Sequence, residues 1–264
     1  GGTPEWDRAI QESVAPIGEA APTVVALGMA EPEALAVALD SLESLGVERV
    51  AVVRLFISGA SFLDQTRYLL GLSDTPPNVF VGHAGHVSGA PAPIAHGLVI
   101  ATHELGLMGS SEASDILAGR AQELSREPTR ESVLLVAHGM GDEGENEAVL
   151  SAMRDAANKV AQQGFARVEV ATLREDWPEQ RVQEEARIRD FVQRESGAGR
   201  RVLVVPYRLH GFGPYATVLA GERYDPADAL IPHTAVSRWI EGTAAEVACA
   251  QGWQHPFGVC AARR

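Results

Sequence analysis

Hydrophobic and polar positions recur along the chain in two periods. Short runs of β-branched and apolar residues are each followed by a longer stretch of helical spacing, the pattern of parallel strands joined by crossover helices. Thr3 and Pro4 open the first helix, with the threonine as N-cap and the proline at the first helical position. Residues 23–27 (TVVAL) predict a strand, and over 33–45 Leu35, Leu39, Leu42 and Leu45 share one helical face that Gly46 ends. Strands follow at 50–56 and 98–102, and again at 132–137, 168–173 and 202–205. Between the later strands, Val149, Met153, Ala157 and Val160 form one apolar stripe, and Val182, Ala186, Arg189 and Val192 a weaker one. Val236, Trp239, Ile240, Thr243 and Val247 line a closing helix.

The order of elements repeats, and so does part of the sequence. Residues 48–55 (ERVAVVRL) parallel 199–206 (GRRVLVVP), and 107–117 (LMGSSEASDIL) align with 230–240 (LIPHTAVSRWI), each a strand end running through a polar cap into a helix. An α/β fold of two similar halves is expected, 1–129 and 130–264, each a parallel sheet flanked by helices. The second half opens with a strand, the loop from His138 to Asn146 and then a helix, whereas the first opens directly on its helix. If the halves are equivalent, a strand ending in a histidine precedes Gly1 in the native chain.

Composition narrows the partners. At 264 residues and 45% hydrophobic the chain can bury a substantial core. A formal net charge of −13 without any basic run argues against nucleic acid, whose phosphates need clustered Lys and Arg. No apolar stretch reaches the roughly 18 residues that span a bilayer. A cytoplasmic protein is expected, or an exported one if a leader precedes the chain. Cys249 and Cys260, the only cysteines, exclude a disulfide framework or a four-thiolate zinc site. Two solitary buried thiols are expected, with a tail-closing disulfide as the alternative in an oxidising compartment.

Candidate chemistry centres on His138. It ends the apolar run 132–137, at the carboxyl end of a strand, where open α/β sheets bind ligands. A neutral imidazole ligates zinc, iron, cobalt or nickel, and Glu143, Glu145 and Glu147 follow within reach as ligands or proton acceptors. His210, in YRLHGFG just past the 202–205 strand, should face the same edge, and Gly211 and Gly213 permit a close-approaching loop. His103 follows the strand at 98–102 and is a third candidate ligand. His83, His86 and His96 lie in a Gly/Pro/Ala-rich loop, His83 and His86 as a conceivable accessory pair; His233 and His255 are set aside. Residues 139–144 (GMGDEG) also spell G-x-G-x-x-G between strand and helix, but Asp142 and Glu143 put negative charge where a pyrophosphate would lie. A nucleotide cofactor is therefore not expected.

The run LLVAHG at 134–139 with its acidic loop and helix, MAEPEAL at 29–35 with the strand and SGAS at 50–61, and LIPHTAV at 230–236 resemble the sirohydrochlorin cobaltochelatase and ferrochelatase family, the class II chelatases. The resemblance covers most of both halves. It implies two α/β halves facing each other across a cleft, and insertion of cobalt, iron or nickel into a tetrapyrrole. His138 matches the first metal-binding histidine of the family. The position of the second falls at Phe62 in the first half and near Pro214 or Tyr215 in the other, with His210 slightly early. On this reading His138 and His210 hold the metal with His103, Glu143 and Glu145 relay protons, and Phe62, Gly211, Phe212 and Tyr215 contact the macrocycle. A non-catalytic carrier of metal or tetrapyrrole with the same fold is the alternative.

Overall fold

In the computed structural model, which describes residues 3–78, 80 and 90–260, fourteen α-helices and β-strands can be followed from the N-terminal helix to the tail. They are α1 (Pro4–Gly18), α2 (Pro32–Ser44), β1 (Arg49–Val52), α3 (Leu63–Leu69), β2 (Val99–Thr102), α4 (Ser111–Leu124) and β3 (Glu131–Ala137). After these come α5 (Glu143–Ala161), β4 (Arg167–Thr172), α6 (Pro178–Gly197), β5 (Arg201–Pro206), α7 (Tyr215–Val218), β6 (Asp225–Pro226) and α8 (Thr234–Ala250). Thr3 caps α1 as its sequence predicts, accepting a hydrogen bond from Trp6 N–H, with Pro4 at the first position. Among the described residues no helix is long and apolar enough to cross a membrane.

The chain forms two compact units, Gly1–Gly106 with Ser237–Arg264, and Leu107–Val236. The halves expected from sequence, 1–129 and 130–264, place α4 in the first and α8 in the second; the compact units group α4 with the second and most of α8 with the first. The physical reason is visible for α4, which follows β2 in sequence but packs on α5 and β5. Its Ala113, Ile116, Leu117 and Ala121 are wholly buried there.

The second unit holds a four-stranded parallel sheet in the order β4-β3-β5-β6. All seven residues of the central β3 are buried, which explains the unbroken apolar run from Val133 to Ala137. One face packs Leu134, Val136, Val202 and Val204 against Ile188, Phe191 and Val192 of α6 and against Tyr215, Val218 and Leu219. The buried stripe of α6 runs through Glu184, Ile188, Phe191, Val192 and Glu195, so the weaker stripe read from sequence is corrected: Val182 and Ala186 face solvent. Glu195 escapes the cost of burial by accepting hydrogen bonds from Ser132, Arg194 and Arg200.

The first unit carries a two-stranded parallel sheet, β1-β2, with Leu39, Leu70, Leu98 and Ile100 as its small core. Residues 23–27, expected as a strand, join no sheet. The closing helix α8 buries all five residues of its predicted stripe, from Val236 to Val247. Cys249 and Cys260 form a disulfide rather than two separate thiols.

Candidate functional site

Parallel pairing sends three neighbouring strands to one sheet edge, β3 in the middle with β4 and β5 on its flanks. Residues 138–142 leave β3 there, 173–177 leave β4, and 207–214 leave β5. Chemistry-bearing side chains from separated stretches are thereby gathered within one unit.

His138 follows the last residue of β3 and is half-exposed. Its Nδ1 lies 2.8 Å from the Gly139 carbonyl oxygen, which only accepts, so Nδ1 carries a proton. Nε2 faces Oδ2 of Asp176 at 3.2 Å. With Nδ1 protonated, both of these atoms are acceptors when the imidazole is neutral, so the contact is favourable only with a cation between them, and the two atoms could hold a proton or a metal ion. With metal–nitrogen and metal–oxygen bonds of about 2.0–2.2 Å, two adjacent ligands of one ion lie roughly 3 Å apart, the spacing observed. Trp177 sets its ring edge-on to the imidazole, centroids 5.9 Å apart at 90°.

The loop carrying His138 is held from below by Arg174. This residue is 3% exposed, adopts a left-handed backbone with φ +54°, and donates from Nε to Met140 O at 2.8 Å. It also donates from Nη1 to Glu143 Oε1 at 2.6 Å and from Nη2 to Gly141 O. Its own backbone N–H bonds the His138 carbonyl at 2.6 Å. Buried Asn146 accepts from Met140 N–H at 3.0 Å, completing the cradle. Two glycines are required here: at Gly139, φ +84°, a Cβ would come within 2.7 Å of Thr172 Cβ, and at Gly141 within 2.1 Å of Trp177 Nε1.

The remaining residues expected at the site divide sharply. Glu143 is exposed but tied to Arg174, and so braces the loop rather than standing free as a base. Glu145 is exposed in the first turn of α5, whose N-cap Asp142 accepts its backbone N–H at 3.0 Å. His210 lies four residues beyond β5, half-buried, on a loop pinned where Arg208 O and Leu209 O accept from Leu230 and Ile231 N–H. Exposed Gly211, φ +71°, gives that loop its turn. Among the described residues no cluster of three or more potential ligands forms around His138 or His210.

Tyr215 is packed into the core, so its ring is not a free surface for a macrocycle, whereas Phe212 is only partly buried against that core. Tyr215 is fully buried, with its hydroxyl 3.3 Å from Glu175 Oε1 and its pKa pushed up by burial and by that carboxylate. Phe212 stacks on Tyr224 at 5.8 Å and meets Tyr215 edge-on at 5.7 Å. Arg208, paired with Glu175, lies over the Tyr215 ring. In the first unit Phe62 caps α3 with φ +53° and packs against Phe56 at 5.5 Å, so its ring too has a protein partner.

His103 is committed elsewhere. Its Nε2 accepts from Arg54 N–H at 2.9 Å, which uses the lone pair a metal would need, and its Nδ1 is buried without a partner. Burial, with the adjacent Arg54 charge, pushes its pKa down to about 4, so the ring is neutral and structural. His83 and His86 lie outside the described residues.

Asp176, Trp177, Arg174 and Asn146 are absent from the sequence-derived set. The signal for Asp176 was its place just beyond the 168–173 strand, the same kind of address that singled out His138.

No protein-family model and no curated protein sequence matches the chain. Solved structures do, among them the following two. SirB from Bacillus subtilis with Fe3+ matches at TM-score 0.63 and 11% identity, over 98% of this chain and 96% of that one. DR2241 from Deinococcus radiodurans, described as a multi-domain protein with structural similarity to chelatases and two additional novel domains, matches at TM-score 0.54 and 18% identity over 98% of this chain. The chain spans about half, 53%, of that structure. At these identities the likeness is one of fold, and the α/β architecture of parallel sheets flanked by helices is that of chelatase-like structures.

Proposed function

We propose that the chain is a metal chelatase-like enzyme that holds a divalent ion, cobalt, iron or nickel, between His138 and Asp176 and inserts it into a sirohydrochlorin-like tetrapyrrole. The observation that carries this reading is the Nε2–Oδ2 pair at 3.2 Å, on a sheet edge of a chelatase-like fold. The metal is substrate here, not a resident cofactor. A donor set of one imidazole and one carboxylate suits that role, because it leaves positions for water or an incoming ring nitrogen. A structural site would close its shell with four protein ligands.

The stoichiometry fits as well. Insertion of a divalent ion into the free-base macrocycle releases two pyrrole protons, and departure of the ion frees two basic atoms, His138 Nε2 and an Asp176 oxygen. Each can take one proton at the point where it is released. Glu145, exposed in the first turn of α5, offers a path onward to solvent. The partly exposed Trp177 gives a flat apolar surface beside the imidazole for a flat ligand.

The test is cobalt titration of the wild-type chain, His138→Ala and Asp176→Asn, followed by addition of sirohydrochlorin with the absorption spectrum monitored. Both variants should lose at least tenfold in cobalt affinity and lose the metal-dependent rate of insertion, while melting near wild type because both side chains are solvent-accessible. Unchanged cobalt affinity in both variants would refute the site. Wild-type binding without acceleration over the spontaneous insertion would make the protein a carrier instead.

A further inference from the structure

Beyond α8 the tail folds back onto the helix end. Trp253 N–H donates to Ala248 O at 2.9 Å and Gly252 N–H to Cys249 O at 3.1 Å. This brings His255 up against the Cys249–Cys260 disulfide. Its Nε2 lies 3.1 Å from Cys249 Sγ and 3.5 Å from Cys260 Sγ. The ring stacks on Phe257, and its Nδ1 accepts from Phe257 N–H at 3.2 Å, so its orientation is fixed by its neighbours. Among the described residues these three are the only group of three or more potential ligands, with donor atoms all within 4.8 Å of one another.

A disulfide that merely closes the tail does not need an imidazole facing both sulfurs. Two thiolates and an imidazole nitrogen, by contrast, are a recurrent donor set for zinc. On a tetrahedral ion with Zn–S of about 2.3 Å and Zn–N of about 2.0 Å, sulfur and nitrogen lie about 3.5 Å apart and the two sulfurs about 3.8 Å apart. The imidazole-to-sulfur spacings are already near these values, so only the sulfurs must part. Cys260 lies in an exposed tail segment, which can move while Cys249 stays on α8. Ligation through Nε2 moves the ring proton to Nδ1 and gives up the long bond from Phe257 N–H, a small loss beside two metal–thiolate bonds.

We propose that, with its disulfide reduced, the tail binds one zinc-class divalent ion through Cys249, Cys260 and His255, at a site separate from His138. In the reducing step two equivalents of a small thiol supply two electrons and two protons: the Cys249–Cys260 bond breaks, two cysteine thiols form, and the external thiols leave as their own disulfide. The ion then displaces both thiol protons to solvent, and water completes the fourth position. Re-formation of the disulfide, with electrons passing to an external disulfide, expels the ion. Thiolate donors favour zinc, whereas the imidazole–carboxylate pair of His138 and Asp176 shows no such softness, so the two sites are chemically distinct.

The experiment compares zinc binding by the intact chain in its oxidised form and after reduction, desalting under argon and confirmation of two free thiols. A chromogenic chelator competes for the metal. The reduced chain should bind one more equivalent of zinc than the oxidised chain, and cobalt in its place should give thiolate-to-metal charge-transfer absorption. Alkylating the two thiols of the wild-type chain, or the Cys249→Ser/Cys260→Ser variant, should abolish the extra equivalent, and His255→Gln should weaken it at least tenfold. The proposal is overturned if the reduced chain with two titratable thiols binds no more zinc than the oxidised one, or if alkylation leaves the extra equivalent in place. Neither result touches the His138 reading, which is tested with cobalt on other residues.

Discussion

Replacing Arg174 by alanine and by glycine separates the two things this residue does. The guanidinium makes three charge-assisted hydrogen bonds into the His138 loop, to Met140 O, Gly141 O and Glu143. At roughly 1.5–3 kcal/mol each they would total at most about 9 kcal/mol. The Glu143 carboxylate is 81% exposed and contributes little on its own. The Met140 and Gly141 carbonyls belong to half-buried residues, so water recovers part of what is lost. A cost of about 3 kcal/mol is therefore expected for Arg174→Ala. The backbone adds a second term. At φ +54° a residue with a Cβ is strained by about 1–2 kcal/mol, a strain that alanine keeps and glycine releases. Arg174→Gly should thus be about 1 kcal/mol more stable than Arg174→Ala, the reverse of the usual order, in which glycine loses more entropy on folding. Urea unfolding with a slope near 2 kcal/mol per molar would place the alanine midpoint about 1.5 M below wild type and the glycine midpoint about 1 M below. Cobalt affinity should fall in both, because the loop that aims His138 is released. A loss under about 1 kcal/mol in the alanine variant, or alanine more stable than glycine, would refute the assignment of Arg174 as the brace of this loop.

Two further substitutions follow from the same geometry. His103 holds its proton with a pKa of about 4 when folded, against about 6.5 in an unfolded chain, so the unfolded state binds the extra proton between those values. Stability should therefore decline as pH falls from 6.5 towards 4 and stop declining on this account below 4; His103→Gln should flatten that window in urea melts, and an unchanged slope would exclude His103 as its source. Gly141→Ala places a methyl 2.1 Å from Trp177 Nε1, so the indole must move off His138. Altered tryptophan fluorescence and weaker cobalt binding are expected, and a variant indistinguishable from wild type in both would show that Trp177 does not define the site.

What the sequence made legible was what depends on local pattern. The apolar run 132–137 is a fully buried parallel strand because helices cover both faces of its sheet, and α8 buries its predicted stripe because five residues at helical spacing are all large or well matched to a core. The stripe of α6 misled for a specific reason. Its real buried face includes Glu184 and Glu195, whose charges are paired by nearby arginines, Arg187 for the first and Arg194 and Arg200 for the second, so polarity alone pointed to the wrong side. Residues 23–27 have strand composition, but a strand needs a partner edge, and that is a property of the whole sheet. Pairing across the sequence was equally hidden at the site: Asp176 reaches His138 only because β4 lies beside β3, a neighbour relation no spacing encodes.

The same contrast explains why two histidines at strand ends have come to differ. His103 and His138 each follow a parallel strand, and each sits beside a buried arginine with a backbone contact to it. At His103 the Arg54 N–H points at Nε2, occupying the lone pair and holding a positive charge close by, so the ring is kept neutral and cannot ligate. At His138 the Arg174 N–H points instead at the histidine's carbonyl, and the guanidinium is turned away to grip Met140, Gly141 and Glu143. Nδ1 is satisfied by Gly139 O and Nε2 is left facing a carboxylate. One arginine consumes a histidine's ligating atom while the other supports the loop that presents it. On the proposed reading of His138, a histidine at a strand end is not enough to make a metal site: the neighbouring strand also supplies a carboxylate, Asp176, and the adjacent arginine bonds the backbone and leaves the ring free.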